Sequence, residues 1–157
     1  MTTISSQSST SDYFIAPGGK EPVDLAGHKL TMLATSENTH GKLCIFEARN
    51  LPSFVADRHI HHDAVKTFYV VEGTYRISVG DETFDAPPGS FVLVPRHAPH
   101  HFETGPEGGR VVFTFVPAGM ENFFIEEARL LAEGRHDEET VAELYRRYDV
   151  EPAPLPT

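Results

Sequence analysis

The chain has 157 residues, enough for one domain with a single core, and sets 13 Lys and Arg against 23 Asp and Glu for a formal charge of −10. That balance excludes the basic footprint of a nucleic-acid binder and attraction to anionic lipid, so a small molecule or a second copy of the chain is the expected partner. A single cysteine, Cys44, excludes an intrachain disulfide; with no apolar run of membrane-span length and no signal-peptide pattern, a cytoplasmic protein is expected.

Residues 1–12, of which eight are Ser or Thr, predict a disordered tail ahead of a single domain over 13–150. Short apolar or alternating segments then predict strands at Lys29–Ala34, Lys42–Ala48, Phe54–His61, Thr67–Glu72, Tyr75–Val79, Glu82–Asp85, Ser90–Val94, His100–Thr104 and Arg110–Val116. Turn residues separate them at Glu72-Gly73, Gly80-Asp81, Pro87-Pro88-Gly89 and Gly105–Gly109. So many short strands imply an all-β sandwich or barrel. The period then lengthens. Met120, Phe123, Phe124, Ala128 and Leu131 share one helical face, and Val141, Leu144, Tyr145 and Tyr148 share another behind an Asp137 cap, which predicts two short helices outside the β-core. Residues 151–157, rich in proline, read as an extended tail.

The chemistry concentrates in a split histidine cluster. Six of nine histidines lie between positions 59 and 101: His59-x-His61, with His62 beside it, and about forty residues later His97, His100 and His101. Side chains at i and i+2 of a strand share a face, so His59 and His61 point together, and His100 from a later strand can complete a triad of imidazoles for a divalent metal. Strand alternation turns His62 and His101 away. His28, His40 and His136 read as surface histidines, and Cys44 as a small apolar filler. Phe68, Val70, Tyr75, Phe91, Phe102, Phe113 and Phe115 read as core. The Glu126-Glu127 and Asp137–Glu139 runs read as solvated helix faces or favourable charges at a helix start.

Two stretches carry a family resemblance. His59-Ile60-His61 through Gly73 resembles the first cupin motif, and Gly89 through Pro95 to His100 resembles the second. The resemblance runs from about Ala16 to Val150 and implies a cupin fold, a double-stranded β-helix or jelly-roll barrel, here with two short C-terminal helices. The layout is most similar to single-domain quercetin 2,3-dioxygenase-like cupins. It implies His59, His61 and His100 as ligands of Fe, Ni, Mn, Cu or Zn, and a dioxygenase-like oxidoreductase of secondary metabolism acting on a phenolic or polyketide-like molecule. Exposed strands in small cupins imply a homodimer.

One position departs from the family. Counting back from Gly73, the place of the metal-binding glutamate is taken by Lys66. An ammonium about 4 Å from a unit positive charge raises the energy by roughly 4 kcal/mol at an effective dielectric near 20. Three readings stay open. Lys66 is deprotonated or drawn into an ion pair with Asp57 or Asp63 beside a metal; or it works without metal as acid, base or Schiff-base nucleophile in an isomerase, cyclase or decarboxylase; or the barrel is a non-catalytic small-molecule binder.

Overall fold

The computed structural model describes residues 11–156, so the tail expected over 1–12 lies almost entirely outside the described residues. The chain runs β1 Val23–Leu25, β2 His28–Ala34, α1 Ser36–Thr39, β3 Cys44–Asn50, β4 His59–Ile60, β5 Val65–Val79, β6 Glu82–Ala86, β7 Phe91–Val94, β8 His100–Val116, α2 Met120–Ala132, α3 Glu138–Arg147 and β9 Glu151–Pro152. Every pairing among these strands is antiparallel. The result is an antiparallel jelly-roll, as expected. No helix among the described residues is long and apolar enough to cross a membrane.

Strict alternation places the core. Cys44, Phe46 and Ala48 of β3 point inward, as do Phe68 and Val70 of β5 and Val111, Phe113 and Phe115 of β8. Their rings meet edge to face, with Phe68 and Phe113 5.0 Å apart and Phe46 and Phe115 5.8 Å apart. Phe91 does not join them. It is 61% exposed on β7, because Val92 and Val94 take the inward face of that strand.

Two expected turns are absent. β5 runs through Glu72-Gly73, and β8 runs through Gly105–Gly109, so each pair of predicted strands is one long ribbon. The glycines serve a bulge between Gly73 and Tyr75 instead. Gly73 has φ +75°, and a Cβ there would run into the Gly108 carbonyl oxygen, so only glycine lets the two strands pass. The predicted strand over Phe54–His61 shrinks to β4 plus an isolated bridge at Val55. β1 and α1 are additions, both too short to show a period in sequence.

The two C-terminal helices form as expected. Asp137 caps α3 by accepting from the Thr140 amide at 2.9 Å, and Met120, Phe123, Leu130 and Leu144 are buried. They do more than cover the outside: α2 lies against β1, and its residues form part of a cavity wall. The segment after α3 is not a free tail. β9 pairs with β4, placing Pro152 opposite His59 and Glu151 opposite Ile60.

Candidate metal centre

β4 is only two residues long, yet it is held on both sides. His59 pairs with His100 of β8 on one side and with Pro152 on the other. Asp149 acts as a clamp on the residues that follow: its carboxylate accepts from the amides of His62, Asp63 and Ala64 at 2.7, 2.8 and 3.1 Å. These contacts set the direction of both histidines of the first motif.

The three rings are oriented through their Nδ1 atoms. His59 donates to the Asp57 carbonyl at 2.7 Å, His61 to the Asp149 carbonyl at 2.6 Å, and His100 to the Ala98 carbonyl at 3.0 Å. A carbonyl oxygen has no hydrogen to give, so each Nδ1 carries the proton and each Nε2 keeps a free lone pair. The Nε2 atoms of His61 and His100 are buried without a hydrogen-bond partner. The ligand atoms of the three residues lie within 4.8 Å of one another. Two buried, unpaired nitrogens are costly unless something occupies the space between them. A divalent ion fits that requirement. Burial, the Lys66 charge and mutual repulsion hold His59 down to about 3 and push His100 lower still; burial and Lys66 likewise bring His61 to about 4, so the rings are neutral donors at physiological pH.

Lys66 enters from β5, where it pairs with Val94 and Phe115. Its side chain is buried and its Nζ lies over the rings of Phe68, Phe113 and Phe115 at 4.7, 4.8 and 5.4 Å. Among the described residues it makes no ion pair, with Asp57, Asp63 or any other carboxylate. Burial brings its amine down from 10.5 to about 7.

His59, His61 and Lys66 border a cavity of about 390 Å³ whose remaining wall is mostly Phe, Leu, Ala and Met. His100 is fully buried next to them, its ring centre 4.4 Å from that of His59. The volume suits a drug-sized aromatic molecule. As expected from alternation, His62 and His101 do not line the cavity; exposed His62 contacts His97 at 2.7 Å and pairs with Glu151. His28 and His136, surface histidines by sequence, do border it, His28 with its ring 3.7 Å from that of Phe54. One opens a strand and the other sits between two helices, so no periodicity marks either. Glu127 also borders the cavity, whereas Glu126 beside it pairs with Arg147 and accepts from Tyr148.

Residues 51–117 match the cupin domain family, a stretch that holds both histidine motifs. Among solved structures, the chain is similar to an RmlC-like cupin from Shewanella frigidimarina at 26% identity and TM-score 0.64, covering 71% of this chain and 96% of that one. It is similar in fold to KdgF from Halomonas sp. at 19% identity and TM-score 0.63, covering 69% and 98%. The polyketide cyclase RemF from Streptomyces resistomycificus shares the fold at 24% identity and TM-score 0.52, covering 64% and 70%. No curated protein matches the chain. The family match covers the stretch that carries both histidine motifs, and the similar structures share the fold built around it.

Proposed function

We propose that this chain is a metal-dependent cupin oxidoreductase, dioxygenase-like in its chemistry, acting on a hydrophobic phenolic or polyketide-like small molecule. The observation that carries the reading is the set of three histidines whose Nε2 lone pairs converge beside an aromatic cavity. His59, His61 and His100 would hold Fe, Ni, Mn, Cu or Zn, and such an ion supplies Lewis-acid polarisation of a substrate oxygen and, if redox-active, a route for dioxygen.

The protein's own part is binding and proton movement. The phenylalanine-rich wall excludes water and takes the flat body of the substrate. Lys66 stands where the family places a carboxylate. In its amine form Nζ takes the proton of an enol or phenol, and the resulting ammonium stays beside the enolate or phenolate it has produced. A buried ammonium facing only aromatic rings and neutral imidazoles gains a counter-charge at that moment. The attraction between the two opposite charges offsets part of the cost of holding each of them in an apolar cavity.

A second reading is favoured by the same lysine: enolate formation alone, without oxygen or metal, suits a cyclase or isomerase, and one fold relative is a polyketide cyclase. Oxygen uptake by metal-replete protein across a panel of flavonols and β-diketones separates the two. Uptake that disappears in His100→Ala supports the oxidoreductase. Substrate loss without oxygen uptake, retained after chelation and abolished in Lys66→Met, supports the lysine-driven enzyme. Binding without turnover leaves a small-molecule binder.

A further inference from the structure

The helical wall of the cavity carries polar groups that the histidine and lysine cluster does not use. Glu127 of α2 borders the cavity with its side chain 18% exposed. Its neighbour Glu126 accepts from Arg147 and from the Tyr148 hydroxyl, whereas the contact Glu127 makes among the described residues is with His136 Nε2, at 3.4 Å. A carboxyl in a mainly apolar wall loses hydration that one long contact does not replace. Burial, and to a lesser extent the charge of Asp57, push this carboxyl up against the opposing pull of His136. Tyr145 of α3 borders the same space, and its hydroxyl takes no hydrogen-bond partner among the described residues. The wall therefore offers an under-used acceptor and an under-used donor to whatever fills the cavity.

We propose that Glu127, positioned by His136 and accompanied by Tyr145, binds a hydroxyl group of the substrate remote from its reacting oxygen, so that the site selects aromatic molecules oxygenated at two separated positions. Glu126 is screened from solvent to the same degree, yet Arg147 and Tyr148 both meet its carboxylate, whereas Glu127 beside the cavity has the long His136 contact alone among the described residues. The assignment rests on the proposed function in one respect: an oxygenated aromatic molecule occupies the cavity. It makes Glu127 a specificity residue and His136 a positioning residue.

Two flavonols that differ by a single hydroxyl on the pendant ring, galangin without it and kaempferol with it, test the assignment. Calorimetric titration of the purified, metal-replete protein is expected to show kaempferol bound roughly tenfold more tightly, the effect of one hydrogen bond to a charged or buried group. Glu127→Ala brings the ratio of affinities close to one, His136→Ala lowers it part of the way, and Glu126→Ala on the same helix leaves it unchanged. Should Glu127→Ala fail to fold, Glu127→Gln reads out the same ratio, expected to fall several-fold. A wild-type ratio of one, or a ratio that survives Glu127 substitution, overturns the assignment and leaves the proposed function standing. If neither flavonol binds wild-type protein, the phenolic-substrate reading falls and the role of Glu127 falls with it.

Discussion

Replacing Lys66 by Met tests the electrostatics of the cavity floor. The change keeps an unbranched side chain against Phe68, Phe113 and Phe115 and removes the amine. In the unfolded chain that amine titrates near 10.5, and in the fold it titrates at about 7 because it is buried. The folded value is the lower one, so the unfolded chain binds the proton more tightly, and stability rises with pH between about 7 and 10.5. At about 1.36 kcal/mol per pH unit, and with Lys66 half-protonated in the fold, the cost at pH 7 is about 4 kcal/mol. The three ring faces attract the ammonium and offset part of this, so Lys66→Met is expected to stabilise chelator-treated protein by about 2–4 kcal/mol at pH 7. By about pH 9.5 the advantage shrinks to about 1 kcal/mol. Urea unfolding of both proteins at the two pH values gives the difference directly. Equal stability at pH 7, or a gap that does not change with pH, would show that Lys66 reaches solvent or an anionic partner, and the argument for a poised amine would fail.

Acidification is expected to destabilise the apo protein as pH falls below about 6.5, because His59, His61 and His100 titrate below their unfolded values and the unfolded chain takes up their protons first; saturating Ni²⁺ or Zn²⁺ should oppose this, as thermal melts at about pH 7 and pH 5 with and without the ion will show. Turnover carried by the Lys66 amine should rise with pH through about 7, and a flat kcat profile across that value would exclude Lys66 as the base. Asp149→Ala leaves three amides without their acceptor and should cost about 2–3 kcal/mol, with a weakened affinity for Zn²⁺ in equilibrium dialysis; unchanged affinity would mean that the clamp does not orient His61. Gly73→Ala must move the Gly108 backbone and adopt a positive φ, so a loss of about 3 kcal/mol or more in urea unfolding is expected.

The histidine triad is legible in the sequence because two physical constraints coincide there: His59 and His61 sit two apart on an extended segment, and Gly73 and Gly89 stand at family distances from the histidines. Lys66 is legible only by register. Its environment is not, since neither its three aromatic neighbours nor the lack of a carboxylate beside it follows from the local sequence. Gly73 and Gly105–Gly109 mislead because a glycine needed for a close backbone approach inside a ribbon looks the same in sequence as one needed for a reversal. Glu127 is hidden for a different reason. On an amphipathic helix a second glutamate beside Glu126 resembles solvated surface, and only the docking of α2 beside β1 shows that the two face different surroundings.

The Asp149 clamp also bears on whether the histidine motifs are a portable part. Every residue proposed to touch the metal lies within 51–117. The carbonyl that fixes the His61 tautomer and the carboxylate that gathers the next three amides come from beyond both helices. A graft or fragment cut at the edges of the motif-bearing segment would therefore carry the complete set of donor atoms and lose the scaffold that aims them. In this chain the helices are the tether that delivers the brace, so insertions between α2 and α3 that shift Asp149 would disturb the centre without altering any residue in it.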